Sequence, residues 1–507
     1  MLSVDPSDAV DPLVLALDVG STGTRGGVYD ALGRPVSGQR HKVRHQFTTG
    51  ADGTSTIDPD QVVEEIVQVI DEVLSKQHRG RIAGVGIDTF SASLIGVDAD
   101  GRAVTPCYTY ADSRCAPQVA ELRNELDELE VQQRTGTRIH SSYLPARLRW
   151  LAATRPELVA SVRTWLSLSE YVHLQLLGVT GAGTSVAAWT GMLDRHTADW
   201  DPEMLAAAGI SAEQLSPVHH PDQPLTDTGT GHRVGGRGSG KNSGRPKHWD
   251  VVADVPWLPG LSDGLASNVG AGGTDAQGWV LAAATSGAMR VLVDEVPERV
   301  GTGLWCYRVD RTRSLVGGAL NDVGRAVAWL EGIAQLPPKE EITRAVLAGP
   351  SDNTPLILPF LTGERSTGWA GDARAVITGL TAAHTGLDLT KGLLEGIALS
   401  YVRVAQQLAE IAGTPSQLLA SGRVGSDLPE LLPVLADAMN APVTPVTIKR
   451  STLHGTALLT LDLVLPYGTR TPADVAETHQ PRPECLPYYR ERQAEFERVY
   501  AGVLADD

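Results

Sequence analysis

A pattern that occurs twice constrains this chain of 507 residues more than any other feature. Near the start, the apolar run Leu13 to Leu17 ends in Asp18-Val19-Gly20. It passes through Ser21-Thr22-Gly23-Thr24, meets a basic residue, Arg25, and returns to the apolar pair Val28-Tyr29 before the turn DALGRP. Much later, ATSGAMR (Ala284 to Arg290), inside WVLAAATSGAMRVLV, repeats strand, hydroxyl-rich turn, basic residue and strand. Turn-forming residues between apolar runs of strand length read as two strands joined by a tight turn. At the first turn, Gly20 and Gly23 let the backbone approach a ligand, and exposed N–H and hydroxyl groups can donate to phosphate oxygens. Arg25 can add a charge-assisted contact, and Asp18 at the strand end can accept from metal-bound water. An ordinary hairpin with a polar turn would use the same residues.

The repetition extends to the order of elements. After the first turn comes a third strand candidate, Lys42 to Phe47, whose His41 and His45 read as solvated side chains because metal pairing at that spacing needs a helix. Asp58-Pro59-Asp60-Gln61 supplies an N-cap, a proline at the first helical position and a capping-box glutamine. The helix that follows places Val62, Val63, Ile66, Val69, Ile70 and Val73 on one apolar face. The second block reads WVLAAATSGAMRVLV, LWCYRVD and SLVGGAL as three strands, then a helix from Val323 to Ile333. A duplicated domain with two such turns facing each other would clamp one phosphate chain from both sides.

Length allows two or more domains, each able to bury its own core. The net charge of −17 argues against a general nucleic-acid or anionic-membrane binder. The first twenty residues carry acids before a very short apolar run, unlike a signal peptide, and no run approaches the roughly 20 apolar residues of a spanning helix. Four cysteines (Cys107, Cys115, Cys306, Cys485) show no CxxC pattern and read as small buried hydrophobes in a reduced, cytoplasmic setting. Between the two blocks lie RIAGVGIDTF, ending in Asp88-Thr89, then SLIGVD, a strand from Cys107 to Tyr110 followed by Asp112 and Arg114, and helical segments Ala116–Leu129, Leu144–Ala153 and Trp165–Leu177. Residues from about 219 to 250, rich in Gly, Pro, Lys and Arg without apolar periodicity, read as a mobile surface loop. Gly235 to Lys241 fits GxxxxGK, but Asn242 replaces Ser or Thr and neither a strand nor a helix flanks it, so it is no nucleotide site. After the second block come LILPFLTGERSTGW, a long helix from Asp388 to Ile411, and the strand LLASG, whose Gly422 leads into a helix from Leu428 to Met439. That strand–Gly–helix unit suits a nucleotide's base or ribose and equally an ordinary connection.

Seven segments in order resemble the FGGY carbohydrate kinases, the group of xylulose, gluconate and glycerol kinases. LALDVGSTGTRGGVYDALGRPV is similar to the family's first phosphate segment, TPCYTYADSR to its strand ending in Asp-x-Arg, and YLPARLRWL to its signature segment, with Arg147 where Lys is usual. WLSLSEYVHLQLLG with TGMLDRHTADWDPEML, GLSDGLASNVGAG followed by TSGAMR, PFLTGERSTGW and ASGRVGSDLPELLPVLADAMNAPV complete the series, spanning Leu13 to about Leu463 and leaning toward the xylulose/gluconate kinase branch. The resemblance implies a duplicated actin-like (ribonuclease H-like) α/β ATPase fold with an interdomain cleft, domains 1–268 and 269–507, and ATP-dependent phosphorylation of a sugar, polyol or sugar acid. It further implies that Asp18 orients Mg²⁺ through water, and that Ser21, Thr22 and Arg25 contact ATP phosphates. Thr285, Ser286 and Gly287 would cradle the transferring phosphate, and Gly324 and Gly422 approach the adenosine. Asp263 would be the catalytic base. Asp275, in GAGGTDAQ, competes for that role but lies closer to the TSG turn than the family's aspartate does. Asp88, Thr89, Ser91, Asp112 and Arg114 remain to meet sugar hydroxyls. Three departures stand out: Arg423 where the adenosine turn usually has a second glycine, Asp427 where Asn is frequent, and Ser91-Ala92 where relatives place Arg-Glu or Met-His. A small-molecule partner is implied, with neither nucleic acid nor membrane, and a homodimer is compatible with the likeness. An actin-like hydrolase, with water as acceptor, and a sensor that binds without turnover are the other readings.

Overall fold

The computed structural model describes residues 3–228, 245–422 and 424–504. The chain forms two compact units. The first comprises Met1–Gly270, Cys306–Ser314 and Lys449–Pro472, and the second Ala271–Trp305, Leu315–Ile448 and Ala473–Asp507. The expected division at 268–269 thus treats as continuous what the structure interleaves, since two later segments join the first unit.

In the first unit, β1 (Leu13–Gly20), β2 (Gly23–Tyr29) and β3 (Pro35–Val43) form an antiparallel meander. Helix α1 (Pro59–Val73) follows, then β4 (Ile82–Thr89) parallel to β1 and β5 (Leu261–Ser262) parallel to β4, giving the order β5-β4-β1-β2-β3. β1 reads as an unbroken apolar run because both faces are covered. Helix α1 packs on β2 and β3, and a helix from Ser451–Val464 packs on β1 and β4. Successive residues point to opposite faces. Gly26, paired with Leu17, meets Val69 of α1, whereas Gly86, paired with Ala16, meets Thr456 and Thr460 of the later helix.

The second unit repeats this plan. β6 (Gly278–Ala283), β7 (Gly287–Val293), β8 (Ser314–Leu320), β9 (Gln417–Gly422) and β10 (Val443–Pro445) are neighbours in the order β8-β7-β6-β9-β10. β6 and β7 are antiparallel, and β9 is parallel to both β6 and β10, as in the first unit. The duplicated α/β architecture expected from the sequence is the observed one. Trp279–Val293, counted as one of three successive strands, is a hairpin folded about Ala284–Ser286, the strand, turn and strand that ATSGAMR implied. The helix expected over Ala116–Leu129 stops at Glu125, and Asp127 caps a new one, Glu128–Thr135, by accepting from Leu129 and Glu130.

Of the stretch 219–250, the two ends are fastened. Leu225 is buried and exchanges backbone hydrogen bonds with Trp257, while Asp227 accepts from the Arg245 guanidinium (2.8 Å) and the Trp249 indole (3.1 Å). Apolar residues spaced too widely for either periodicity escaped the sequence reading here. Residues 229–244, with Gly235–Lys241, lie outside the described residues. All four cysteines are buried and free, and no helix among the described residues is long and apolar enough to cross a membrane.

His173, on the helix Leu168–Leu177, is fully buried edge-on against Trp257, and neither ring nitrogen has a hydrogen-bond partner. Burial pushes its pKa down to about 3. The unfolded chain therefore takes up a proton near pH 6.5 that the folded chain refuses, and stability present above that pH is lost as pH falls toward 3. His173→Phe should flatten the decline in denaturant midpoint between pH 6 and 4; an unchanged slope would assign the acid sensitivity elsewhere.

Candidate active site

The parallel strands of the first sheet end side by side. Asp18 of β1 is level with Asp88 of β4, Val19 with Thr89, and Leu261 and Ser262 of β5 with Asp88 and Thr89. Asp263 follows at once as the first residue of helix α2 (Asp263–Gly270). The carboxyl ends of strands in open α/β sheets are where ligands bind, because the chain there leaves the sheet for loops and helix N-termini. Three aspartates collect at this edge, and they differ.

Asp263 is half-buried, and its Oδ1 accepts the Ser91 hydroxyl at 2.7 Å. Asp18 is buried and its Oδ2 accepts from the Arg25 guanidinium at 2.9 Å. Burial raises the Asp18 pKa, Arg25 pulls it down and the charge of Asp263 pushes it up again. Asp88 has no exposure. Its Oδ2 accepts the Thr456 hydroxyl at 2.5 Å, and its Oδ1 has no hydrogen-bond partner. Burial first, then the charge of Asp18, raises its pKa well above the carboxylate range. Asp88 and Thr89, expected to meet sugar hydroxyls, are both buried; Asp88 supports the floor of the edge and does not open onto it.

Ser91, two residues past the strand end, is half-buried. The next residue, Ala92, adopts a left-handed conformation (φ 54°) rarely occupied by residues with a Cβ. The fully buried Arg147 donates to the Ala92 carbonyl at 2.9 Å and to Ser141 at 3.1 Å, which fixes that turn. Arginine in the place of the usual lysine has a planar fork that reaches both carbonyls. Asp112 is buried, accepts from the Ser55 amide (3.1 Å) and is gripped by Arg114 through Nε and Nη2 (3.0 and 2.6 Å). Arg114 in turn lies over the Trp150 ring, 4.5 Å from its centroid.

Ser21 and Thr22 form the exposed turn between β1 and β2. What holds the turn was not singled out in the sequence. His45 is buried, with Nε2 at 2.8 Å from the Gly20 carbonyl and Nδ1 at 2.7 Å from Glu65, which also accepts the Thr24 hydroxyl at 2.6 Å. His45 is thus a brace under the turn and not the solvated side chain its strand spacing implied. Burial works against the charge of Glu65, but bonds from His45, Thr24 and Gln61 outweigh it and lower its pKa. The available signal was an acid at 65 on the apolar stripe of α1, three residues after Val62 and four before Val69.

In the second unit, Ala284, Thr285 and Ser286 form an exposed turn whose carbonyls accept from the start of α3 (Gly324–Ile333). Ala284 accepts from Gly324 (2.9 Å), and Thr285 from Arg325 (3.0 Å). Gly324 is required by this approach, as a Cβ there would stand 2.6 Å from the Ala284 carbonyl oxygen. Gly287 begins β7 against the hydroxyl of Tyr401, which rises from the long helix α4 (Gly386–Ala412). Gly422 ends β9 at φ 86°. Arg423 lies outside the described residues, and Asp427 ends the short helix Val424–Asp427. Asp275 spends its Oδ1 on the amides of Gln277 (2.8 Å) and Gly278 (3.1 Å) at an exposed turn.

The chain is 24% identical over 422 residues to a gluconokinase of Bacillus subtilis, covering 81% of this chain and 79% of that protein. Its fold matches the ligand-bound xylulose kinase of Lactobacillus acidophilus with a TM-score of 0.83 at 24% identity, over 97% of this chain and 98% of that one. It also matches Plasmodium falciparum glycerol kinase with ADP, with a TM-score of 0.81 at 17% identity, over 98% and 99% of the two chains. The N-terminal domain of the FGGY family of carbohydrate kinases matches residues 13–234 and its C-terminal domain residues 301–461. With the duplicated fold and an aspartate-lined strand edge in place, these matches identify the chain as a member of the FGGY family of carbohydrate kinases, a phosphotransferase.

Proposed function

We propose that the protein transfers the γ-phosphoryl group of ATP to a hydroxyl of a small sugar, polyol or sugar acid, with Asp263 as general base. The observation that carries this reading is the division of labour among the aspartates. Of the three, Asp263 is the part-exposed carboxylate and accepts a hydroxyl, whereas Asp18 is buried against Arg25 and Asp88 is fully buried. A sugar hydroxyl is a poor nucleophile, and Asp263 takes its proton as it attacks phosphorus. Most of the acceleration in such a transfer comes from positioning and from neutralising charge on the phosphoryl oxygens. Ser21 and Thr22 of one turn with Arg25 on the strand after it, and Thr285 and Ser286 of the other with Gly287 at the start of β7, supply donors for that.

Among the described residues no group of three or more His, Cys, Asp or Glu side chains could hold a metal ion. Mg²⁺ keeps several waters and binds through one or two carboxylates with substrate phosphates, so the carboxylate of Asp18, at the strand edge beside Asp263, fits it. Bound there through water, the ion would offset charge on the ATP phosphates.

The test is a coupled ADP-release assay over sugars, polyols and sugar acids. Release strictly dependent on an acceptor is expected; release without one would favour a hydrolase, and binding without release a sensor. Arg25→Ala and Thr285→Ala should each raise the KM for ATP by about tenfold or more, the loss of a charge-assisted or phosphate hydrogen bond, with the acceptor KM little changed. A raised acceptor KM with unchanged ATP kinetics would contradict the assignment of the turns.

A further inference from the structure

Trp189 follows the short helix Thr184–Ala188 and is half-exposed. One face of its indole is stacked on Tyr307, with ring centroids 3.6 Å apart and planes 20° from parallel. Tyr307 is buried and fixed in turn by a hydroxyl–hydroxyl bond of 2.7 Å to the buried Tyr143. The indole therefore cannot swing. Its benzo edge lies over Gly264, where a Cβ would stand 2.7 Å from Cζ2, so the ring touches the backbone one residue beyond Asp263. Tyr110, 42% exposed, is close enough to Asp263 for that carboxylate to raise its phenol pKa, after burial. The side chains around Asp263 thus include Ser91, a tyrosine and a stacked tryptophan beside the carboxylates of Asp18 and Asp88. Among the described residues here, Arg114 is held by Asp112, Arg147 by backbone carbonyls and Arg25 by Asp18.

Resting on the kinase reading above, we infer that Trp189 is a specificity-determining residue of the acceptor site, and that the acceptor is a neutral sugar or polyol that lays a C–H face on the indole, in preference to a sugar acid. The carbon-bound hydrogens of a sugar carry a slight positive charge that suits the negative face of an aromatic ring, and packing them there removes apolar surface from water. A rigid wall next to the base also holds the attacking hydroxyl in line without spending polar groups, which replaces what Ser91 and Ala92 are too short to provide. A carboxylate brought to the same place would face Asp263, a repulsion that lowers affinity.

The experiment compares neutral acceptors (D-xylulose, glycerol, D-glucose) with D-gluconate for the parent, Trp189→Ala and Trp189→Phe, measuring both KM values and kcat. The parent should prefer a neutral acceptor. Trp189→Ala should raise the KM for that acceptor about tenfold while leaving the KM for ATP within twofold, and Trp189→Phe should recover most of the loss. A merely structural role would move both KM values or the fraction of folded protein. Turnover with an unchanged acceptor KM in Trp189→Ala, or preference for D-gluconate in the parent, overturns the inference and leaves the kinase reading standing. Absence of turnover with all four acceptors, where a wider acceptor screen also fails, withdraws both.

Discussion

Asp263→Asn should bind ATP and acceptor about as well as the parent and lose phosphoryl transfer by about 10²–10⁴-fold, the usual contribution of a positioned general base. Asparagine keeps the shape and still accepts the Ser91 hydroxyl (2.7 Å) through its carbonyl oxygen, so the loss isolates basicity. Because Asp263 opens helix α2, a purely structural role would be the favourable interaction of a carboxylate with a helix N-terminus, worth about 0.3–1 kcal/mol. In that case the asparagine variant would be nearly fully active. Asp275→Asn is the matched control. Its carboxylate holds two amides at an exposed turn, so its loss should cost little activity. Initial rates at saturating ATP decide: near-parental rates for Asp263→Asn with collapse in Asp275→Asn would move the base to the later aspartate.

Gly455→Val should lower stability by about 3 kcal/mol or more, the upper range for overpacking a filled interior. Helix α2 and the helix Ser451–Val464 meet backbone to backbone. A Cβ at 455 would overlap the Ala266 carbonyl oxygen and come within 2.7 Å of the Gly270 amide nitrogen, and one at 270 would overlap the Ser451 carbonyl. Such an overlap belongs to the Cβ itself, so no rotamer relieves it; the helices must separate, which breaks the packing of interior atoms at near-crystalline density. At roughly 2–4 °C per kcal/mol for a unit of this size, the melting temperature should fall by about 6–12 °C. Gly332→Ala, in a helix where a Cβ meets nothing within 4 Å, should be neutral or stabilising. Equal melting temperatures for Gly455→Val and parent would mean the two helices are free to part.

Most of the fold was legible because its signals are local. The twofold strand–turn–strand pattern, the N-cap at Asp58 and the apolar face of α1 each specify an element within a few residues. The site was legible only through residue types at strand ends. Asp18 ends a strand and the two hydroxyl-rich segments form turns, as their residue types implied, whereas Asp263 was singled out only by the family resemblance. Burial was not legible, since the identity of Asp88 says nothing of the Thr456 hydroxyl brought to it from 368 positions away. His45 shows the same limit: its spacing on a strand implied solvent, but Glu65 and Gly20 enclose it. Trp189 carries no motif, and only the missing side chain at Gly264 reveals what the indole lies against.

On the ribosome, the first unit has to wait for its last piece. Residues 271–448 must be made before the helix Ser451–Val464 exists to cover the sheet face lined by Gly84 and Gly86. At 5–20 residues per second that interval is roughly ten to forty seconds. Through it the nascent sheet keeps one apolar face open and Asp88 lacks its hydroxyl partner, so the first unit cannot mature as an independent N-terminal domain. A gene cut after codon 270 would encode the sheet without the helix that covers this face.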